Sequence, residues 1–156
     1  MSSQWLIDRF RSLAEDVDRK TVGDEPFWEF LFPAAADAEY RFSAFVYDDG
    51  AVGITASRKG AEKREYFWNI AFEPSEFEAV EELDKRAAST VSTLLRHDSR
   101  IIQSVGLVNV GFDCEYLNGK AWHSVGGCAA LRFSNFEFPR IQGQQRAYHA
   151  SAAQTT

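Results

Sequence analysis

The sequence predicts an α+β fold: an antiparallel sheet of about five strands, a three-stranded meander plus a hairpin, packed by an N-terminal helix and one long central helix. Three observations carry this. Apolar residues recur at helical spacing near the N-terminus and again from Phe77 to Leu95. Between Tyr40 and Phe72 the period changes to two, and Leu117-Asn118-Gly119-Lys120 reads as a tight hairpin turn between apolar-rich runs.

From Ser3 to about Arg19, the residues Leu6, Phe10, Leu13 and Val17 are spaced by three and four, with charges between them, which predicts an amphipathic helix capped by Ser2 or Ser3. Asp24-Glu25-Pro26 reads as a second helix start, with Asp24 as cap and Pro26 in the first turn. Phe27, Trp28, Phe30, Leu31 and Phe32 then form a short aromatic helix that plugs one end of the core. Strands follow at Tyr40–Tyr47, at Val52–Ala56 and from about Lys63 to Phe72, with Tyr66, Trp68, Ile70 and Phe72 on one side of the third. Both faces of this meander are largely apolar.

Pro74-Ser75-Glu76-Phe77-Glu78 predicts the start of the main helix, residues 75 to 97, with Ser75 and Glu78 as a capping box. Glu73, Glu76, Glu78, Glu81, Glu82 and Asp84 make its first half acidic, which suits the positive end of a helix. In the hairpin, a type I′ turn with Leu117 facing Lys120 puts Glu115 opposite Trp122 and Cys114 opposite His123. Val108, Val110, Phe112, Cys114, Tyr116, Ala121, His123 and Val125 then share the core face. Cys128, opposite Asn109, lies on the other face, so both cysteines are expected as free thiols. A bulge at Gly126-Gly127 is what would turn Cys128 over. Residues 1 to 141 are expected as one domain and 142 to 156, rich in Gln, Ala, Ser and Thr, as a flexible polar tail.

At 156 residues the chain is long enough for one ordinary core, and 45% hydrophobic with 13 Phe and 4 Trp is the composition of a folding chain. A net charge of -6 argues against nucleic acid or anionic membrane as a partner and favours a basic one. No cationic leader and no apolar span occur, so a cytoplasmic location is expected. The three histidines share no metal-ligand spacing, and Gly106-x-x-x-x-Gly111 lacks the Lys and Ser/Thr of a phosphate loop. No metal, cofactor or nucleotide role is expected.

Cys114 and His123 are the one pair resembling a nucleophile and its base, but both point into the expected core, where a buried cysteine serves as a small hydrophobe. The order helix, three strands, helix, two strands is similar to that of small acidic chaperones of bacterial secretion systems, and small acidic immunity proteins share the size and charge. No motif of either is matched, and fold alone does not give function. The expectation is a protein-binding module, immunity-like or chaperone-like and not an enzyme, that meets a basic protein through Glu76, Glu81, Glu82, Asp84 and Trp122. A homodimer is compatible with it. The alternative is a ligand pocket or minor enzymatic site built from Cys114, His123, Trp68 and Tyr66.

Overall fold

A computed structural model describes residues 3–60, 66–106, 109–131 and 145–153. The element order is α1 (Gln4–Leu13), β1 (Asp16–Val22), β2 (Glu25–Leu31), β3 (Tyr40–Tyr47), β4 (Val52–Arg58), β5 (Tyr66–Phe72), α2 (Val80–Arg96), β6 (Ser99–Val105), β7 (Asn109–Asn118), β8 (Ala121–Leu131) and β9 (Gln145–Ala150). The fold is α+β with antiparallel strands. Instead of one sheet of about five strands, the described residues form two: β1-β2-β3-β4-β5 and β8-β7-β6-β9.

The N-terminal helix is shorter than its apolar spacing suggests. Ser3 caps it by accepting from the Leu6 amide at 3.3 Å, and Leu6, Ile7 and Phe10 are buried. After Leu13 the chain leaves for the sheet, where the Glu15 amide donates to Leu31 O at 2.8 Å. Val17, which continues the helical spacing, instead lies opposite Phe30 in β1. The expected aromatic helix at 27–32 is also a strand. Gly23, at φ 61, makes a two-residue loop with Asp24 that pairs Val22 with Glu25. Pro26 disfavours helical geometry at Glu25, and the β-forming aromatics after it alternate between the sheet's two sides. Phe30 and, just beyond the strand, Phe32 pack edge-on against Phe10, with ring centroids 5.5 and 5.7 Å away.

The inner face of the five-stranded sheet presents Tyr40, Phe42, Ala44, Val46, Ile54, Ala56 and Trp68 to α1, α2 and the second sheet, forming the main core. Across the gap stand Ile101, Val110, Phe112, Cys114 and Tyr148. A register shift at Ala56/Ser57 pairs Ser57 with Tyr66, so Tyr66 does not share a face with Trp68 as the simple alternation implied. The expected start of that strand at Lys63 lies outside the described residues, as do Ser2 and Val108.

Helix α2 begins at Val80 rather than at 75. Pro74–Glu76 is a separate 3-10 turn, Ala79 holds the N-cap position, and the predicted Ser75/Glu78 capping box does not form. The β7–β8 turn also differs from prediction. Gly119 (φ 66) and Lys120 are its central residues and no described non-glycine residue has positive φ, which is the pattern of a type II′ turn rather than type I′. Asn118 therefore faces Ala121, Leu117 faces Trp122, Tyr116 faces His123 and Glu115 faces Ser124. A bulge then brings Cys114 opposite Gly126 and Cys128 opposite Phe112, so Cys128 turns toward the Phe112 side. Both thiols are free.

Residues 145–150, expected within a loose tail, pair with β6 as β9 and bury Tyr148, while 142–144 and 154–156 lie outside the described residues. Arg58 donates to the Tyr148 hydroxyl at 2.7 Å, and that hydroxyl donates to the buried Gln103 Oε1 at 3.1 Å. Glu39 accepts from the His149 amide at 2.7 Å and its own amide donates to His149 O at 2.9 Å.

Candidate functional site

The expected Cys114/His123/Trp68/Tyr66 constellation is not assembled. Cys114 is fully buried opposite Gly126, and burial, with help from Asp113 and Glu115, pushes its thiol well above the ordinary value, so a thiolate is disfavoured. His123 is exposed and stacks on Tyr116, with ring centroids 5.4 Å apart. Trp68 is buried and donates its indole N–H to Gly126 O at 3.0 Å, which ties β5 to β8. Tyr66 has turned to the opposite face of the first sheet.

The expected acidic contact surface is also divided. Glu76 is exposed in the 3-10 turn, and Glu81 and Glu82 are exposed in the first turn of α2. Glu82, however, lines an open groove of about 630 Å³ together with Lys85 and Arg86, so this side of the helix carries both signs of charge. Asp84 does not join them at the surface: it is 6% exposed. Burial raises its carboxyl above the ordinary value, an effect opposed by Ser3 and increased by Glu81. Trp122 lies beneath Arg100, whose guanidinium carbon is 4.2 Å from the ring centroid and which also pairs with Glu115 at 3.3 Å.

A different cluster stands on the outer face of the five-stranded sheet. The register places Phe27 opposite Tyr47, Glu29 opposite Phe45, Phe45 opposite Gly53, and Ser57 opposite Tyr66. The alternation that sends Tyr40, Phe42, Ala44 and Val46 into the core sends Phe45 and Tyr47 the other way. Phe27 meets Phe45 at 5.7 Å and Tyr47 at 5.5 Å between centroids, and Phe45 meets Tyr66 edge-on at 5.5 Å. Phe27 is buried, yet it is not part of the main core; the other three are half-buried.

Phe45, Tyr47 and Tyr66 wall an open groove of about 630 Å³, and Phe27 backs the first two from β2. Its floor is low because Gly53 and Ala71, paired across β4 and β5, carry little or no side chain there. Glu25, Asp49 and Glu73 stand in the lining, which includes no lysine or arginine among the described residues. Burial raises the Tyr47 phenol above its ordinary value, and Glu25, Asp49, Glu73 and Tyr66 push in the same direction. The carboxylates therefore converge electrically on that hydroxyl. Thr55 also lines the groove. Its Oγ1 and that of its cross-strand partner Ser43, Oγ, are buried without a hydrogen-bond partner. Beyond Phe45, buried Glu29 is paired with Lys20 Nζ at 2.8 Å.

Sequence reasoning passed over this cluster because Phe45 and Tyr47 read as the second apolar face of a strand already assigned to the core. The available signal was that very redundancy: aromatics on both faces of β3, followed at once by Asp48-Asp49. Among the described residues, no group of three or more His, Cys, Asp or Glu could hold a metal ion, and no helix is long and apolar enough to cross a membrane. Comparison with known proteins returns no matching family model, no matching curated protein and no matching solved structure.

Proposed function

We propose that this chain is a protein-binding module whose contact surface is the outer face of the five-stranded sheet and whose partner is basic. The observation that carries the reading is the Phe27, Phe45, Tyr47 and Tyr66 cluster, placed outside the main core and bordered by Glu25, Asp49 and Glu73. Aromatic residues give large rigid contact area at small entropic cost, and acidic surroundings steer a basic partner and reject acidic ones. The net charge of -6 acts in the same direction at longer range. Neither immunity-like nor chaperone-like duty follows from these features; both are forms that a basic-partner binder can take.

The test is site-specific photo-crosslinking in the cells of origin. A photo-reactive phenylalanine analogue replaces Ala71, exposed on the groove floor, and in a second variant replaces Lys85 on α2. A discrete protein adduct with a basic partner at position 71 and none at position 85 is expected. Adducts at 85 alone, or an acidic partner at 71, would overturn the proposal.

A further inference from the structure

We infer that the groove between Tyr47 and Tyr66 is a seat for one cationic side chain, a lysine ammonium or an arginine guanidinium, projecting from an extended basic segment of the partner protein. This rests on the reading of the outer sheet face as the docking surface, and it adds what that surface recognises.

Three features of the lining select a cation. Ring faces carry negative quadrupole potential, so a positive group resting on Tyr47, Phe45 or Tyr66 is attracted to them. Glu25 comes from the start of β2, Asp49 from the β3–β4 turn and Glu73 from just after β5, so three separate segments deliver negative charge to one groove. Elsewhere, basic side chains of this chain neutralise its acids: Arg19 pairs with Asp48 at 2.9 Å, Lys20 with Glu29 at 2.8 Å and Arg41 with Glu15 at 2.9 Å. No described residue forms an ion pair with Glu25, Asp49 or Glu73. The floor adds shape and an acceptor. Gly53 and Ala71 leave room for a long aliphatic stem to lie flat, and Thr55 Oγ1 is an unpartnered oxygen beneath it that a donor group can satisfy. A carboxylate or phosphate finds the opposite: three like charges and no donor side chain of positive charge.

The carboxylates can be neutralised with little risk to the fold, because all three are exposed. Asp49 Oδ1 accepts from the Ala51 amide at 2.9 Å, a bond that Asp49→Asn can keep. The probe is a capped six-residue arginine peptide, titrated at low salt into the isotope-labelled full chain while the amides of Gly53, Thr55 and Ala71 are followed by NMR. Saturable shifts at these amides are expected. In the Glu25→Gln/Asp49→Asn/Glu73→Gln variant the affinity should fall about tenfold or more, and in Tyr47→Leu, which keeps apolar volume but loses the ring, about threefold or more. The inference is overturned if the shifts lie on another surface, or if both variants bind like the parent. It is also overturned if free spermine binds as tightly as the peptide, since the groove would then be a receptor for small polyamines. The photo-crosslink at position 71 separates the docking face from the cation seat. An adduct that persists in the triple variant leaves the docking face standing without a cation seat, while loss of the adduct in the parent removes the docking face itself.

Discussion

Asp84 shows at residue scale how position changes the meaning of a charge. Glu81 and Glu82 are exposed and add to the field at the start of α2, whereas Asp84 is buried, with Ser3, the cap of α1, partly offsetting the cost of its charge. Because burial raises its native-state carboxyl above the unfolded value, the native state binds this proton more tightly than the unfolded chain does. Its contribution to stability is therefore most favourable at acid pH and is lost as pH rises through the window above the ordinary carboxyl value. Asp84→Asn keeps the shape of the side chain and removes the charge. The variant should match or exceed the parent in thermal midpoint at pH 7, and the difference should shrink toward pH 3. A variant clearly less stable at pH 7 would mean that the charge itself is needed.

The β7–β8 hairpin illustrates the element scale. Its turn and its bulge act together. The turn sets Tyr116 against His123, and the bulge between Cys114 and Glu115 shifts the pairing beyond it by one. Gly126 sits at that shift with φ 143, and a Cβ there would come within 3.0 Å of Ile70 Cγ2 on the other sheet. Its carbonyl meanwhile accepts the Trp68 indole N–H. Gly126→Ala should therefore cost about 1–3 kcal/mol, from backbone strain plus the contact with Ile70. Urea unfolding of the two proteins measures it, and a change within about 0.5 kcal/mol, the usual scatter of neutral surface substitutions, would show that the backbone accommodates a side chain there.

For the molecule as a whole, the last described strand closes the second sheet. Strand β9 covers the edge of β6, inserts Tyr148 beside Phe67 with centroids 5.1 Å apart, and fastens to Glu39 just before β3 through both backbone groups of His149. Removing residues 145–156 should lower stability by about 3–5 kcal/mol, the scale of losing a large buried aromatic. It should also leave Gln103 without its Tyr148 partner. Denaturant unfolding of the shortened chain checks this; an unchanged midpoint would mean that the strand is an accessory to an already complete sheet. Among the described residues, the helices and the second sheet pack on the inner face of the first sheet, which is why the proposed docking surface falls on its outer face.

Legible in the sequence were the class of fold, the helical stretch after Ser3, the stripe of α2, the strands at 40–47 and 52–56, and a tight turn at Gly119. In each, local conformational preference and hydrophobic period agree, so neighbours along the chain suffice. Tertiary structure decided the rest. Val17 extends a helical period and Pro26 resembles a helix start, but pairing of β1 with β2 and β2 with β3 satisfies their backbone groups as a sheet. Residues 145–150 have almost no apolar signal, and only the open edge of β6 makes them a strand. The groove depended most on distant pairing. Glu25, Phe45, Asp49, Tyr66 and Glu73 come from separate segments, and one-residue shifts, such as the bulge that turns Tyr66 away from Trp68, decide which face each side chain joins. Such shifts are set by contacts between strands, and the local sequence does not encode them.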